Sequence, residues 1–147
     1  MKRIRRILHP SDFSPASRAA FARSVEMAKT NRAELVVTHV LSPVVIPADG
    51  YISPRVYEQI DRAARAAART QLAALVARAK RAGVRARAVV LDGAPHDRII
   101  GAAKAARADL VVMGTHGRTG LARLFLGSVA ERVVGRSPCP VMTVRGR

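Results

Sequence analysis

Apolar runs of strand length alternate with longer stretches of helical pattern along this 147-residue chain, with no low-complexity linker between them. Strands that alternate with helices form parallel sheets with right-handed crossovers, because each helix returns the chain to the edge where the strands begin. We therefore predict an α/β fold in which residues 1–147 form one domain. Its core would be a five-stranded parallel sheet with helices on both faces, flavodoxin-like or Rossmann-like.

The predicted strands are residues 3–9, 34–41, 84–91, 108–113 and 140–144, and the predicted helices are residues 15–30, 55–82, 95–107 and 129–134. Ser14 predicts the start of the first helix because its hydroxyl can cap free backbone N–H groups, and Pro15 suits the first turn. Gly83 predicts the end of the second helix, and Gly135 is expected to weaken or end the fourth. A strand order of 2-1-3-4-5, or a close variant, would place the first strand in the middle of the sheet. In a variant of this order the first and fourth strands are neighbours at the switch point.

The most informative loop lies between the fourth predicted strand and the fourth predicted helix. It contains Gly114-Thr-His-Gly117, and then Gly127-Ser128 after a longer interval. Glycines let a ligand approach the backbone closely, and the N–H groups at a helix start attract anions. The loop has neither the Gly-Lys-Ser/Thr of a Walker A motif nor the G-x-G-x-x-G of a dinucleotide site. A site for an anion or nucleotide is the first hypothesis, and a connecting turn without a ligand is the alternative.

A second motif, Pro10-Ser11-Asp12, follows the first predicted strand. In open α/β sheets the ligand lies beyond the carboxyl ends of the strands, at the point where the strand order reverses. If the first and fourth strands are neighbours, Asp12 and the glycine loop converge on one crevice. Two plainer alternatives stay open: Asp12 as a turn-forming residue, and Ser128 as the N-cap of the last helix.

Together these segments resemble the universal stress protein family over nearly the whole chain. Residues 9–14 are similar to its strand-end motif, residues 111–117 and 127–132 to its nucleotide loop and last helix, and residues 137–141 to the entry into its final strand. The resemblance implies a fold of the adenine nucleotide alpha hydrolase-like type. Because the glycine signature is complete, it also implies the ATP-binding subclass, with Mg²⁺ accompanying the nucleotide.

The resemblance further implies which residues hold the nucleotide. Pro10, Ser11 and Asp12 would lie at the nucleoside, with Asp12 in contact with it. Val40 would contact the base through its backbone, and Met113 would line the nucleoside pocket. The phosphate-binding positions carried over are Gly114, Gly117, Gly127, Ser128 and the backbone of Val129.

The function that the resemblance implies is a nucleotide-dependent regulatory module of the stress response, acting on an unidentified protein partner. Efficient phosphoryl transfer needs a cationic clamp and positioned metal ions. The glycine loop has no Walker lysine and no paired carboxylates beside it, so no residue is predicted to be catalytic. A slow Mg²⁺-dependent ATPase is the first alternative. Arg118 is a candidate for neutralising phosphate, against the plainer alternative of a solvated side chain.

Charge supplies the second alternative, a basic protein associated with nucleic acid. The chain has 26 Lys and Arg against 10 Asp and Glu, a formal net charge of +16, which is typical of nucleic-acid binding. The basic residues are dispersed along the sequence, and Arg62, Arg65 and Arg69 are predicted to form an outward stripe on the second helix. Aromatic residues make up only 3% of the chain, which leaves little for base stacking. Specific nucleic-acid recognition is therefore not expected.

Location and assembly follow from other features. No apolar stretch approaches the roughly 20 residues of a membrane span, and the basic N-terminus has no apolar signal-peptide core after it. The one cysteine cannot form an internal disulfide, so we expect a cytoplasmic protein. The last strand, residues 140–144, is expected at a sheet edge, where an apolar strand invites pairing with another chain. In the resembled family it pairs with its own copy, which implies a C2 homodimer.

Overall fold

The computed structural model describes residues 2–116 and 126–146. Its strands are β1 (Arg6–Pro10), β2 (Glu34–Leu41), β3 (Ala86–Asp92), β4 (Leu110–Gly114) and β5 (Val141–Val144). Its helices are α1 (Pro15–Asn31), α2 (Pro54–Arg81), α3 (Pro95–Ala105) and α4 (Ser128–Arg136). The predicted alternation of strands and helices is confirmed, with bounds that differ by a few residues.

The strands form one parallel sheet in the order β3-β2-β1-β4-β5. β1 lies in the middle beside β4, as predicted. The order 2-1-3-4-5 is wrong because β3 lies at the edge beyond β2. The side chains of β3 are exposed or half-buried, which suits an edge strand. Those of β1 and β4 are nearly all buried, as central strands require.

The sheet separates two hydrophobic cores. Successive side chains of a strand point to opposite faces, so Ile7 joins the core beneath α1 and α2, whereas Leu8 joins the core beneath α3 and α4. Both side chains are fully buried, and burial of one such side chain contributes about 2 kcal/mol. The helices are thus held on both faces, which confirms the predicted layers.

Local signals set most of the helix ends. The Ser14 hydroxyl accepts a hydrogen bond from the Ser17 N–H at 3.2 Å, so Ser14 is the N-cap of α1, as predicted. Gly83 follows the end of α2 with a φ of 85°, a left-handed conformation that favours glycine. Gly135 lies inside α4 and does not end it. The cost of one glycine, about 1 kcal/mol, is smaller than the gain from burying Val133 in that helix.

The outward arginine stripe on α2 is correct for Arg62 and Arg69, which are exposed, and wrong for Arg65. The Arg65 guanidinium donates to both carboxylate oxygens of Asp92, at 2.7 and 3.2 Å. This ion pair ties α2 to the end of β3 and lowers the pKa of Asp92.

Among residues 2–116 and 126–146, no helix combines the length and apolar character that a membrane crossing needs.

Candidate functional site

A crevice of about 600 Å³ lies at the carboxyl edge of the sheet, beyond the ends of β1, β2 and β4. β1 and β4 are neighbours, with Ile7 opposite Leu110 and Leu8 opposite Val111. The connections leave these two strands in opposite directions across the sheet, which opens a space between their ends. The volume is within the range of about 300–1,000 Å³ that small-molecule sites occupy.

The structure brings most of the predicted site residues together around this crevice. Gly117 and Arg118 lie outside the described residues. For all of the predicted site residues, contact with a ligand stays a prediction. The predicted site residues that line the crevice are Pro10, Ser11, Asp12, Val40, Met113, Gly114, Gly127, Ser128 and Val129.

The turn after β1 is held by its own side chains. The Asp12 carboxylate accepts a hydrogen bond from the Ser14 N–H at 3.0 Å, and the Ser11 hydroxyl accepts one from the Phe13 N–H at 3.2 Å. The Ser17 hydroxyl accepts from the Asp12 N–H at 3.1 Å. Asp12 is therefore a turn-forming residue, and it also lines the crevice. Its turn role is compatible with contact to a ligand, because a carboxylate has several acceptor positions.

An aromatic pair that no sequence pattern predicts forms part of the crevice wall. The rings of Phe13 and His39 are stacked, with centroids 4.5 Å apart and an angle of 27° between planes. Phe13 has a left-handed φ of 63°, which is unfavourable for a bulky residue. His39 Nδ1 lies 2.7 Å from the Ser11 carbonyl oxygen, so Nδ1 carries the proton it donates. The pairing depends on the β1–β2 register, which no local pattern encodes.

His9, in β1, is a core residue and not an acid–base group of the crevice. Its ring is fully buried, and Nδ1 donates to the Val112 carbonyl oxygen over 2.9 Å. Burial lowers its pKa from 6.5 to about 4, although the bond to Val112 and the charge of Asp12 oppose this shift. The imidazole is therefore neutral near pH 7 and does not supply positive charge to a ligand.

Helix α4 begins at the crevice without a side-chain cap from the described residues. Gly127 is its N-cap, so the alternative that Ser128 serves as N-cap is wrong. The Gly127 N–H donates to the Thr115 carbonyl oxygen at 2.6 Å, and the Gly127 carbonyl accepts from the Glu131 N–H at 2.9 Å. These bonds place Gly127 just before the helix and make Ser128 the first helical residue.

The first residue of α4 sets it apart from the other three described helices. α1, α2 and α3 begin with Pro15, Pro54 and Pro95, which have no backbone N–H. α4 begins with Ser128 and keeps that donor. Its first N–H groups have no partner inside the helix and point toward the helix start. Together with the helix dipole, they make this end suited to an anion.

The two described glycines of the signature, Gly114 and Gly127, differ in how far their surroundings favour glycine. A Cβ added to Gly114 would lie 3.1 Å from both the carbonyl carbon and the Cβ of Ala16. Glycine therefore suits the close packing of α1 against β4, because a larger residue there would require Ala16 to shift by a few tenths of an ångström. Gly127 has a φ of -60° and a ψ of 153°, which any residue can adopt. Its backbone angles therefore do not require glycine, and the residue lines the crevice.

The described lining of the crevice contains one carboxylate, Asp12, and neither lysine nor arginine. In the part of the chain that the structure describes, no three His, Cys, Asp or Glu side chains are grouped as metal ligands. Asp12 is thus the one carboxylate that the described lining offers to a divalent cation. The same lining offers the backbone N–H groups at the start of α4 to an anion, and a single carboxylate, not a pair, for acid–base chemistry.

The strand order β3-β2-β1-β4-β5, with helices on both faces, is that of the adenine nucleotide alpha hydrolase-like fold. Residues 3–145 match the family model described as "Universal stress protein family". The chain is 36% identical over 144 residues to universal stress protein MJ0531 of Methanocaldococcus jannaschii, which covers 96% of this chain and 82% of that protein. The chain belongs to the universal stress protein family.

Solved structures show the same fold. MJ0577 of Methanocaldococcus jannaschii superposes with a TM-score of 0.84 at 23% identity, covering 99% of both chains. A universal stress protein in complex with cAMP superposes with a TM-score of 0.73 at 26% identity, and the match covers 99% of this chain and 100% of that chain. A universal stress protein family protein from Arabidopsis thaliana with AMP bound superposes with a TM-score of 0.70 at 23% identity, and the match covers 97% of this chain and 92% of that chain. Two of these similar proteins thus bind adenine nucleotides.

Proposed function

We propose that this protein belongs to the ATP-binding subclass and acts as a nucleotide-dependent regulatory module of the stress response. The observation that carries the proposal is the start of α4, which no described side chain caps and which opens onto the crevice at Gly127 and Ser128. Free N–H groups at a helix start favour phosphate. The AMP and cAMP held by similar proteins support an adenine nucleotide as the ligand.

In the proposed complex the phosphates lie at the start of α4 and the nucleoside lies toward the ends of β1 and β2. Asp12 and Met113 contact the nucleoside, and the backbone of Val40 contacts the base. Mg²⁺ accompanies the phosphates, and Arg118 offsets part of their charge. The phosphates contact Gly114, Gly117, Gly127, Ser128 and the backbone of Val129.

A slow Mg²⁺-dependent ATPase is the second candidate. It is favoured by one observation, the carboxylate of Asp12 in the crevice lining, which can hold a metal through water. The absence of a second carboxylate among the described lining residues favours binding over turnover.

The cytoplasmic location, the regulatory protein partner and the single domain over residues 1–147 stay predictions.

Calorimetry with nucleotide-stripped protein tests the proposed function. We expect Mg–ATP to bind the parent, and to bind the Gly117→Val, Gly127→Val double variant at least about tenfold more weakly, because the valine side chains occupy the space for phosphates. Circular dichroism checks that the variant is folded. Gly101→Val is the matched control, since an added Cβ there meets nothing within 4 Å, and it should bind like the parent.

Different nucleotides separate the parts of this proposal. ADP, AMP and cAMP are titrated beside ATP. Tighter binding of AMP or cAMP than of ATP would contradict the ATP-binding subclass and leave an adenine-nucleotide module. A folded parent that binds none of the four would contradict nucleotide binding altogether.

We also propose that the protein is a homodimer through β5. This strand pairs with β4 on one side, and no other described strand lies on its free side. Val141, Met142 and Val144 are half-buried, and Thr143 is exposed. A free edge presents unpaired N–H and C=O groups that a second copy can satisfy.

Charge at this edge tests the dimer. Val141→Glu with Thr143→Glu is expected to yield monomers by light scattering, because like charges would face each other across the paired strands. The control places the same charge at Ala63 and Thr70, which are exposed on α2, and should leave the dimer intact. Dimers that persist in a folded β5 variant would rule out edge pairing.

A further inference from the structure

A second, smaller depression lies at the opposite edge of the sheet, where the strands begin. Its volume is about 290 Å³, and we call its lining arginines the amino-edge cluster. Arg3 and Arg5 precede β1, and Arg6 is its first residue. Arg32 follows α1, and Arg85 precedes β3. The fold thus gathers arginines that are dispersed in the sequence. The lining consists of Arg3, Arg5, Arg6, Arg32 and Arg85, with Glu34.

The depression carries surplus positive charge. Its one carboxylate, Glu34, is shared between Arg87 at 3.0 Å and Arg6 at 3.6 Å. The amino-edge cluster therefore outnumbers its only acidic neighbour in the lining. Among residues 2–116 and 126–146, no carboxylate forms an ion pair with Arg3, Arg32 or Arg85.

Helix ends extend this positive surface. In a parallel α/β sheet the helices run opposite to the strands, so α1, α2 and α3 end at the amino edge. Cations in a last turn offset the negative end of the helix dipole, which is a sufficient reason for them. It does not explain Arg3, Arg5 and Arg85, which belong to no helix. The cations in the last turns are Lys29, Arg78, Lys80, Arg81 and Lys104.

We propose that the amino-edge cluster binds the phosphate backbone of nucleic acid without sequence preference. A guanidinium group matches two phosphate oxygens in its planar fork. Further cations lie in the last turns of α1, α2 and α3, which end at the same edge of the sheet, so a polymer of phosphates has more cations to contact than a single small anion does. The lining has no aromatic or apolar side chain, so it offers neither base stacking nor insertion into lipid.

This second surface is independent of the proposed nucleotide site. The cluster lies where the strands begin, and the crevice lies where they end. Oligonucleotide binding is therefore expected with or without a nucleotide in the crevice. The Gly117→Val, Gly127→Val variant should retain it, so failure of one proposal is distinguishable from failure of the other.

Fluorescence anisotropy with a short, labelled, single-stranded RNA of mixed sequence tests the cluster in nucleotide-free buffer. The variant is Arg3→Gln, Arg32→Asn, Arg85→Gln, with Asn chosen because Arg32 has a left-handed φ of 54°. We expect the affinity for the RNA to fall at least about tenfold. The slope of log K against log salt should become shallower by about 2, since each of the three lost phosphate contacts contributes about 0.7 to its magnitude.

The matched control removes the same charge elsewhere. Arg55, Arg62 and Arg69 are exposed on α2, and changing all three to Gln is expected to weaken binding by no more than about threefold. Equal losses in the two triple variants would show binding by diffuse charge and overturn the proposal. Thermal unfolding checks both folds, and Arg85→Gln alone, with an expected loss of about threefold, replaces the first triple variant if that one is unfolded.

Two further probes test the kind of ligand. A second RNA of unrelated sequence should bind within about threefold of the first, and a larger difference would overturn the absence of sequence preference. Inorganic polyphosphate is compared at equal phosphate concentration. Weaker or equal binding supports nucleic acid, whereas at least about tenfold tighter binding through the same arginines would overturn that assignment.

Discussion

Replacing Ser128 with proline is expected to weaken Mg–ATP binding by about 10- to 100-fold and to leave the fold intact. Proline removes the backbone N–H at the first position of α4. A hydrogen bond from such a donor to a charged phosphate contributes about 1.5–3 kcal/mol. The helix loses nothing, because that N–H has no partner within it and proline is favoured there. Gly127 has extended backbone angles, which the residue before a proline requires.

The control for this prediction is Ser128→Ala, which removes the hydroxyl and keeps the N–H. Calorimetry should show a smaller loss for alanine than for proline, and thermal unfolding should show similar stability for both. The chain itself provides the precedent, because Pro15, Pro54 and Pro95 begin the other described helices. Unchanged affinity in a folded Ser128→Pro protein would mean that the phosphates do not lie at this helix start.

Gly114→Val is expected to lower the free energy of unfolding by about 3 kcal/mol, and the melting temperature by about 10 °C. The added Cβ would lie 3.1 Å from backbone and side-chain carbons of Ala16 and 3.2 Å from its carbonyl oxygen. These atoms belong to the start of α1, and the methyl groups of valine would add to the overlap. Relief requires α1 to move away from β4, with loss of packing on the buried face of the sheet.

Gly135→Ala is the control for the Gly114 prediction. An added Cβ at Gly135 meets nothing within 4 Å, and alanine is the better helix former, so stability should rise by about 0.5–1 kcal/mol. Urea denaturation measures both variants. A loss below about 1 kcal/mol for Gly114→Val would show that α1 adjusts easily. The signature glycine would then matter for ligand space and not for packing.

Prediction of the fold from sequence succeeded where the signals are local and failed where they are not. Ser14 and Gly83 act on the nearest turn of backbone, and both were placed correctly at a helix end. Helix propensity alone disfavours Gly135, but α4 runs through it with Val133 buried. Nothing in the sequence pairs Arg65 with Asp92, so its helical position alone predicts a solvated side chain.

The candidate site shows the same division. The spacing of Gly114, Gly127 and Ser128, and the position of Asp12 after a strand, predict one crevice if the first and fourth strands are neighbours, and the structure places β1 beside β4. The stacking of Phe13 on His39 was not predictable, because it depends on the register between β1 and β2. The reason for glycine at position 114 was also hidden, since it lies in contact with another element.

The sequence by itself determined the type and approximate bounds of the helices and strands, the α/β class and the family. Hydrophobic period, capping residues and motif spacing act over a few residues and can be read along the chain. Only the tertiary structure decided that β3 lies at the edge and that α4 opens onto the crevice with no cap from a described side chain. It alone gathered Arg3, Arg32 and Arg85 at the amino edge. These features depend on which buried surfaces pack together, and that choice is made between segments far apart in the chain.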